Sequence, residues 1–298
     1  MTDRSPSATY RRFAPLLVLA ALCFTPAQAA GGKTFMWRAT KGQSAVYLVG
    51  SVHALSQDYY PLTPALEDGF KDSDLLVEEV DMAEMMNPAS QMRILQRGML
   101  PADQSLDKVV SPATMALVNK AGSDLGPAIE ALKKFKPWML AIALEGLELQ
   151  KAGFDPDLGL DKHFYDEAQT AGKTVQGLET VDYQLSRFDE MTYEQQDHML
   201  AETLKELETE IASVTTLATA WKTGDAPQVE RIVLKDLKTD SQMYQRLLVE
   251  RNRNWMPKIE GFFSRPGRTF VVVGAAHLVG PDGLLQMLRA KGYTVEQL

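Results

Sequence analysis

Among the 298 residues there is a single cysteine, Cys23, and it stands inside an N-terminal stretch that reads as a leader. A mature chain would hold no thiol, which excludes disulfides, thiolate nucleophiles and cysteine-ligated metal. Basic runs are missing too. With 31 Lys+Arg against 39 Asp+Glu the formal net charge is -8, and an acidic chain without a basic patch has no electrostatic footprint for DNA or RNA. Nucleic acid is therefore excluded as a partner. No apolar run is long enough for a membrane span: the longest candidate, Phe13 to Phe24, falls well short of the roughly 20 residues needed. There is no HExxH, and "GPDGLL" has glycines but lacks the lysine of a phosphate-binding loop.

What the first thirty residues do contain is a secretory signal pattern: Arg4, Arg11 and Arg12, the short apolar stretch, then "TPAQAA" with Ala27 and Ala29 as the small residues before a cut. The sequence predicts residues 1–29 as a signal peptide, cleavage near Ala29, and a periplasmic or secreted chain with no integral membrane anchor. Leu22 stands where a lipidation signal wants Gly, Ala or Ser, which argues against Cys23 as a lipid acceptor. Losing Asp3, Arg4, Arg11 and Arg12 moves the formal charge from -8 to -10. Residues 30–298 suffice for one large domain or two intimate ones with a substantial core, and they read as a single domain. The sequence carries no signal for an oligomeric state.

The pattern begins as strand, Lys41-Gly42 turn, strand, from Thr34 to Leu55. "PALEDGFKDS" reads as a short amphipathic helix and "DLLVEEVDM" as a strand with acids at its far end, giving a βαβ unit over residues 34–81. Residues 82–265 are mainly helical by their three- and four-residue apolar spacing, with Thr192 and Gln195 as a capping box. A short strand from Lys173 to Leu178 interrupts them. Residues 266–298 repeat the opening plan: strand, turn, helix, Gly292, closing strand. The expected fold is α/β, two βαβ-like halves joined in one central sheet with a long helical insertion between them.

Both halves contain the same phrase. "YLVGSVHAL" and "VVVGAAHLVG" each run from an apolar strand through Gly and two further residues to His, so Gly50 leads to His53 and Gly274 to His277. Ligands in open α/β sheets gather beyond the carboxyl ends of strands. The repeat predicts that His53 and His277 meet there, although more than two hundred positions separate them. Each glycine leaves room for a ligand or a neighbouring backbone.

In "DLLVEEVD", alternation puts Glu79 and Asp81 on one sheet face and Glu78 with Val80 on the other. Two imidazoles and a carboxylate make an open site for a divalent ion whose bound water becomes a nucleophile. Hydrogen-bonded structural histidines are the plainer alternative. Arg251 in "LLVERNRNW" falls on the buried helix stripe, where it either steadies an oxyanion or pairs with Glu78, Glu79 or Glu179 for structure alone. Glu179 caps a helix or reaches the cleft. Tyr59 and Tyr60, just after His53, keep haem or small-ligand capture open. His163 and His198 read as surface residues. "DMAEMMNPASQMRILQRGML" reads as a packed helix or a flexible apolar lining.

With these residues assembled, the chain resembles the TraB/PrgY/GumN family, whose relatives include the Tiki metalloproteases and, more distantly, erythromycin esterases and ChaN-type haem-binding lipoproteins. "YLVGSVHAL", "DLLVEEVD", "GLDKHFYDEAQTAGKTVQGLET", "ERNRNW" and "VVVGAAHLVGPDGLLQML" carry the resemblance in order along nearly all of the mature chain. It implies a site of His53, His277, Glu79 and Arg251, with Glu179 and Gln184 in the "LE" segment. It also implies a metal-dependent hydrolase or peptidase using manganese, cobalt or zinc, acting on a peptide or small-molecule substrate. The esterase relatives use a similar set without such a metal. The alternatives are a haem or small-ligand binder and a non-catalytic, peptide-sequestering regulator.

Overall fold

The structure, a computed structural model, describes residues 32–298 apart from residues 127, 236 and 239. The predicted signal peptide lies outside the described residues. The chain opens with a hairpin of β1 (Met36–Lys41) and β2 (Ser44–Ser51). Gly42 makes the turn at φ +63, a left-handed conformation that only glycine adopts without strain. β3 (Leu75–Val80) and β5 (Thr269–Gly274) are buried at every position, as strands covered on both faces must be. β4 (Thr174–Glu179) and β6 (Thr294–Gln297) complete the set.

The six strands form one sheet in the order β4-β3-β5-β2-β1-β6. β2 and β3 are both parallel to β5, β4 is parallel to β3, and β1 runs antiparallel to β2 and to β6. The α/β class and the single sheet are as the sequence predicts. The halves interleave rather than abut, since β5 from the C-terminal part lies between β2 and β3 of the N-terminal part. The short strand inside the helical stretch becomes the sheet edge beside β3.

The main core is the sheet with the helices laid on it, including Phe70, Phe164, Trp255 and Phe270. The Pro137–Lys151 and Tyr193–Lys222 helices pack on each other around a second apolar cluster of Leu140, Leu144, Leu200 and Leu204. The predicted capping box is present in both directions between Thr192 and Gln195. Residues 32–298 form one compact unit. No helix among the described residues is long and apolar enough to cross a membrane.

Candidate active site

Each site residue comes from a strand end or from a segment docked against one. Glu79 is the next-to-last residue of β3, Gly274 the last of β5, and His277 follows in the short Ala275–Leu278 helix. Arg251 and Asn252 open the Glu250–Phe262 helix, directly after a π-helical turn at Gln245–Val249. Such turns alter the facing of the residues that follow.

His277 is buried, 5% exposed, and its tautomer follows from its partners. Asn252 Nδ2 donates to two backbone carbonyls, His277 O at 3.2 Å and Asp282 O at 2.8 Å, which fixes the amide. Its Oδ1 must therefore accept from His277 Nδ1–H, at 2.7 Å. At the other end, His277 Nε2 lies 3.0 Å from Arg251 Nη1, and a guanidinium can only donate. His277 is a neutral imidazole with its proton on Nδ1. Burial drives its pKa down to about 3, with Glu79 opposing and Arg251 reinforcing the fall.

Arg251 is equally committed. Nη2 donates to Glu79 Oε2 at 2.5 Å and to Glu179 Oε1 at 2.7 Å. Nε donates to Glu179, and Nη1 also reaches Leu247 O at 3.3 Å. All five of its N–H groups have partners, and its face stacks over Trp255. No N–H remains for an oxyanion, so the geometry gives Arg251 a holding part rather than the stabilising one the sequence offered. Glu179, behind it, also accepts from Trp255 Nε1 at 2.8 Å. Burial opposes ionisation of Glu79, but Arg251 and the Gly274 N–H at 2.7 Å hold its carboxyl far below the ordinary carboxylate range. Gln184 Nε2 donates to the same carboxylate at 3.2 Å.

His53 has the opposite character, with its side chain 69% exposed at the mouth of the site. Its Nδ1 lies 2.8 Å from Asp161 Oδ2, which also accepts from Ser51 Oγ at 2.6 Å. The Asp161 carboxylate raises the His53 pKa to about 9. Asp161 stands in the first turn of the Leu160–Ala171 helix, and the segment leading into that helix pairs with the one after β2: Leu55 and Asp155 exchange backbone hydrogen bonds, and Leu160 N donates to Val52 O. The approach is so close that a Cβ on Gly159 would lie 2.2 Å from His53 O.

The convergence predicted from the repeat is present. One point, the Cβ that Gly274 lacks, lies 3.2 Å from Glu79 Oε1, 3.4 Å from His53 Nε2 and 3.7 Å from His277 Cδ2. Gly50 does something else: a Cβ there would run into the Phe35 ring at 2.3 Å, so its bareness serves the core. A cleft of about 460 Å³ opens beside the site, lined by His53, Glu78, Glu79, Asp161 and Gln184, with Val80, Met82, Met85 and Met86 as an apolar wall. The Met-rich segment thus supplies part of that lining as well as helix.

Three site groups were not singled out from the sequence: Asp161, Asn252 and Glu78 as a cleft residue. Glu78 is 2% exposed. Its Oε2 accepts from Met82 N at 3.1 Å, while Oε1 has no hydrogen-bond partner. Burial lifts its pKa to about 8, so it is neutral at pH 7. Tyr59 stands apart, in a small separate pocket with Phe35 and Trp221, and Tyr60 donates to Leu158 O. Neither lines the cleft, which removes the feature that favoured haem. His163 is half-buried rather than fully at the surface: it bonds Glu67 and packs on Phe164. His198 is exposed.

The metal set expected from the sequence does not suit a divalent ion as these residues are arranged. The His277 lone pair and one Glu79 oxygen already face the Arg251 guanidinium, whose charge would repel a second cation. Among the described residues, no group of three His, Cys, Asp or Glu side chains is set to hold a metal.

A family model described as TraB/PrgY/gumN matches residues 35–297 of the chain. Two similar curated proteins are each called uncharacterized protein YbaP, from Escherichia coli (strain K12) and Shigella flexneri. Both are 27% identical over 262 residues, covering 87% of this chain and 94% of theirs. An uncharacterized protein of Treponema pallidum (strain Nichols) is 21% identical over 272 residues, 86% of this chain and 80% of its own. No solved structure matches.

Proposed function

We propose, from the premise that the chain belongs to the TraB/PrgY/gumN family, that it is an exported hydrolase of peptide or ester-like bonds. The observation that carries this reading is the meeting of His53 Nε2, Glu79 Oε1 and His277 around the bare α-carbon of Gly274, beside a cleft large enough for a substrate. Export rests on the leader pattern of residues 1–29.

In the neutral form of His53, Nε2 takes a proton from water while Asp161 holds the other ring nitrogen. The resulting hydroxide adds to the acyl carbon. Gln184, which lines the cleft and has a second N–H beyond the one given to Glu79, is a donor for the oxyanion. As the bond to the leaving nitrogen or oxygen breaks, Glu78 gives that atom its proton, and the proton held on His53 then restores Glu78 by way of water. The fixed Glu79 carboxylate faces the imidazolium and steadies it. No step passes through a metal.

The test is turnover of fluorogenic peptide and ester libraries by the mature protein, with chelator and then with manganese, cobalt or zinc. Activity that survives chelator and is abolished in folded His53→Ala supports the reading. Ligand retained without turnover in every condition would replace it with capture, for which the apolar wall of Val80, Met82, Met85 and Met86 is suited.

A further inference from the structure

The cation around which the buried acids gather is a side chain. Glu79, Glu179 and His277 each bond the Arg251 guanidinium, by Oε2, Oε1 and Nε2 respectively. All four residues are buried, between 5% and 9% exposed. Two carboxylates and a neutral imidazole around one centre form a donor set suited to a first-row divalent ion. Here that centre is a guanidinium.

The surroundings fix this choice. Asn252 locks His277 with its Nε2 lone pair turned to Arg251, since the amide is held by two carbonyls. Gly274 N holds the other Glu79 oxygen, and Trp255 both supports the guanidinium face and bonds Glu179. A divalent ion entering this group would displace Arg251 from every partner and leave its charge buried without one, which is costly.

We propose that Arg251 occupies the place of a metal ion: it is the resident cation of the site and bars divalent ions, and removing it turns Glu79, Glu179 and His277 into a metal-binding group. The charges agree with such an exchange. Two ionised carboxylates neutralise a divalent ion, whereas with Arg251 they leave one negative charge over, facing His53.

The experiment reads metal uptake, not turnover, so its failure is separable from failure of the hydrolase reading. Full-length mature protein is stripped with chelator and titrated with cobalt, manganese and zinc, each alone, by calorimetry and, for cobalt, visible absorption. The wild type is expected to show no uptake that depends on His277. Arg251→Ala, or Arg251→Met to keep the volume filled, is expected to bind one equivalent at least about tenfold more tightly, and the His277→Ala double variants to lose it. One equivalent in the wild type that vanishes in His277→Ala overturns the proposal, as do folded Arg251 variants that bind no better than wild type. If both variants fail to fold, melting of the stripped wild type decides: an unchanged midpoint with each metal supports the proposal, and a rise abolished by His277→Ala overturns it.

Discussion

Ser51 on β2 is the register partner of Gly274 on β5, and Gly50 is the partner of Val273. The two copies of the motif are thus out of step by one residue. Partners in adjacent strands share a face, and a one-residue offset reverses it. Gly50 therefore turns toward Phe35 in the core while Gly274 turns toward the reacting groups.

This offset separates two otherwise matched substitutions. Gly50→Ala drives a methyl into the Phe35 ring and is expected to cost about 1–3 kcal/mol of stability. Gly274 has φ -49, which alanine accepts. Gly274→Ala should therefore melt close to wild type yet lose activity by roughly a hundredfold, because its methyl displaces the His53 and Glu79 tips. Denaturant melts alongside kcat/KM check both. Comparable loss of stability in the two variants would contradict the assignment.

The rate should form a bell on the alkaline side. His53 must lose its proton near its pKa of about 9, and Glu78 must keep its own, with pKa about 8. The maximum is expected between those values. Because Asp161 raises the His53 pKa, Asp161→Asn should move the acid limb to lower pH while lowering the maximum rate. A limb that stays in place would show that His53 is not the base.

Glu78 is held protonated at a cost to the fold. Its folded-state pKa, about 8, exceeds the ordinary 4.5, so stability falls as pH rises between those values. Glu78→Gln removes the penalty. Its melting temperature should exceed wild type by a margin that grows from pH 4.5 to 8 and then levels, reaching at least about 2 °C. Activity should be lost in the same variant. Thermal melts across that range provide the measurement.

His277 acts in the other direction. Its pKa of about 3 lies below the ordinary 6.5, so its contribution is complete above 6.5 and is lost as pH falls toward 3. In wild type, Glu78 offsets this slope over part of the range. In Glu78→Gln the decline should emerge undisguised below pH 6.5. Asn252→Asp, whose carboxylate favours the imidazolium, should flatten it at the expense of stability at pH 7. Urea titrations of the single and double variants resolve the two effects.

Much of this arrangement was legible in the residues. The Lys41-Gly42 turn and the Thr192–Gln195 box are local signals, and the structure contains both. The repeated Gly-x-x-His was enough to bring the two halves together. Its offset was not, because register depends on which strands become neighbours, and β5 enters between two strands that follow each other in the chain. Asp161 lies 108 positions from His53. The only hint of their contact was Gly159, whose need for close backbone approach has no local mark. Asn252 was hidden by its neighbour, since successive helical residues face different directions, and the amide reaches His277 only when the post-β5 turn is in place. Glu78 was assigned by alternation to the face away from Glu79, but at the strand end the cleft wraps around to both.

The strand at the middle of the sheet is made long after the two strands that flank it. A nascent chain delivers β2 and β3 early, and their facing edges have no partner until Thr269–Gly274 arrives. Closing so long a loop is slow. It also means that a nascent chain that stops short of β5 has neither a continuous sheet nor His277, so the order of synthesis itself keeps the pocket unformed until Thr269–Gly274 and the short helix after it have been made.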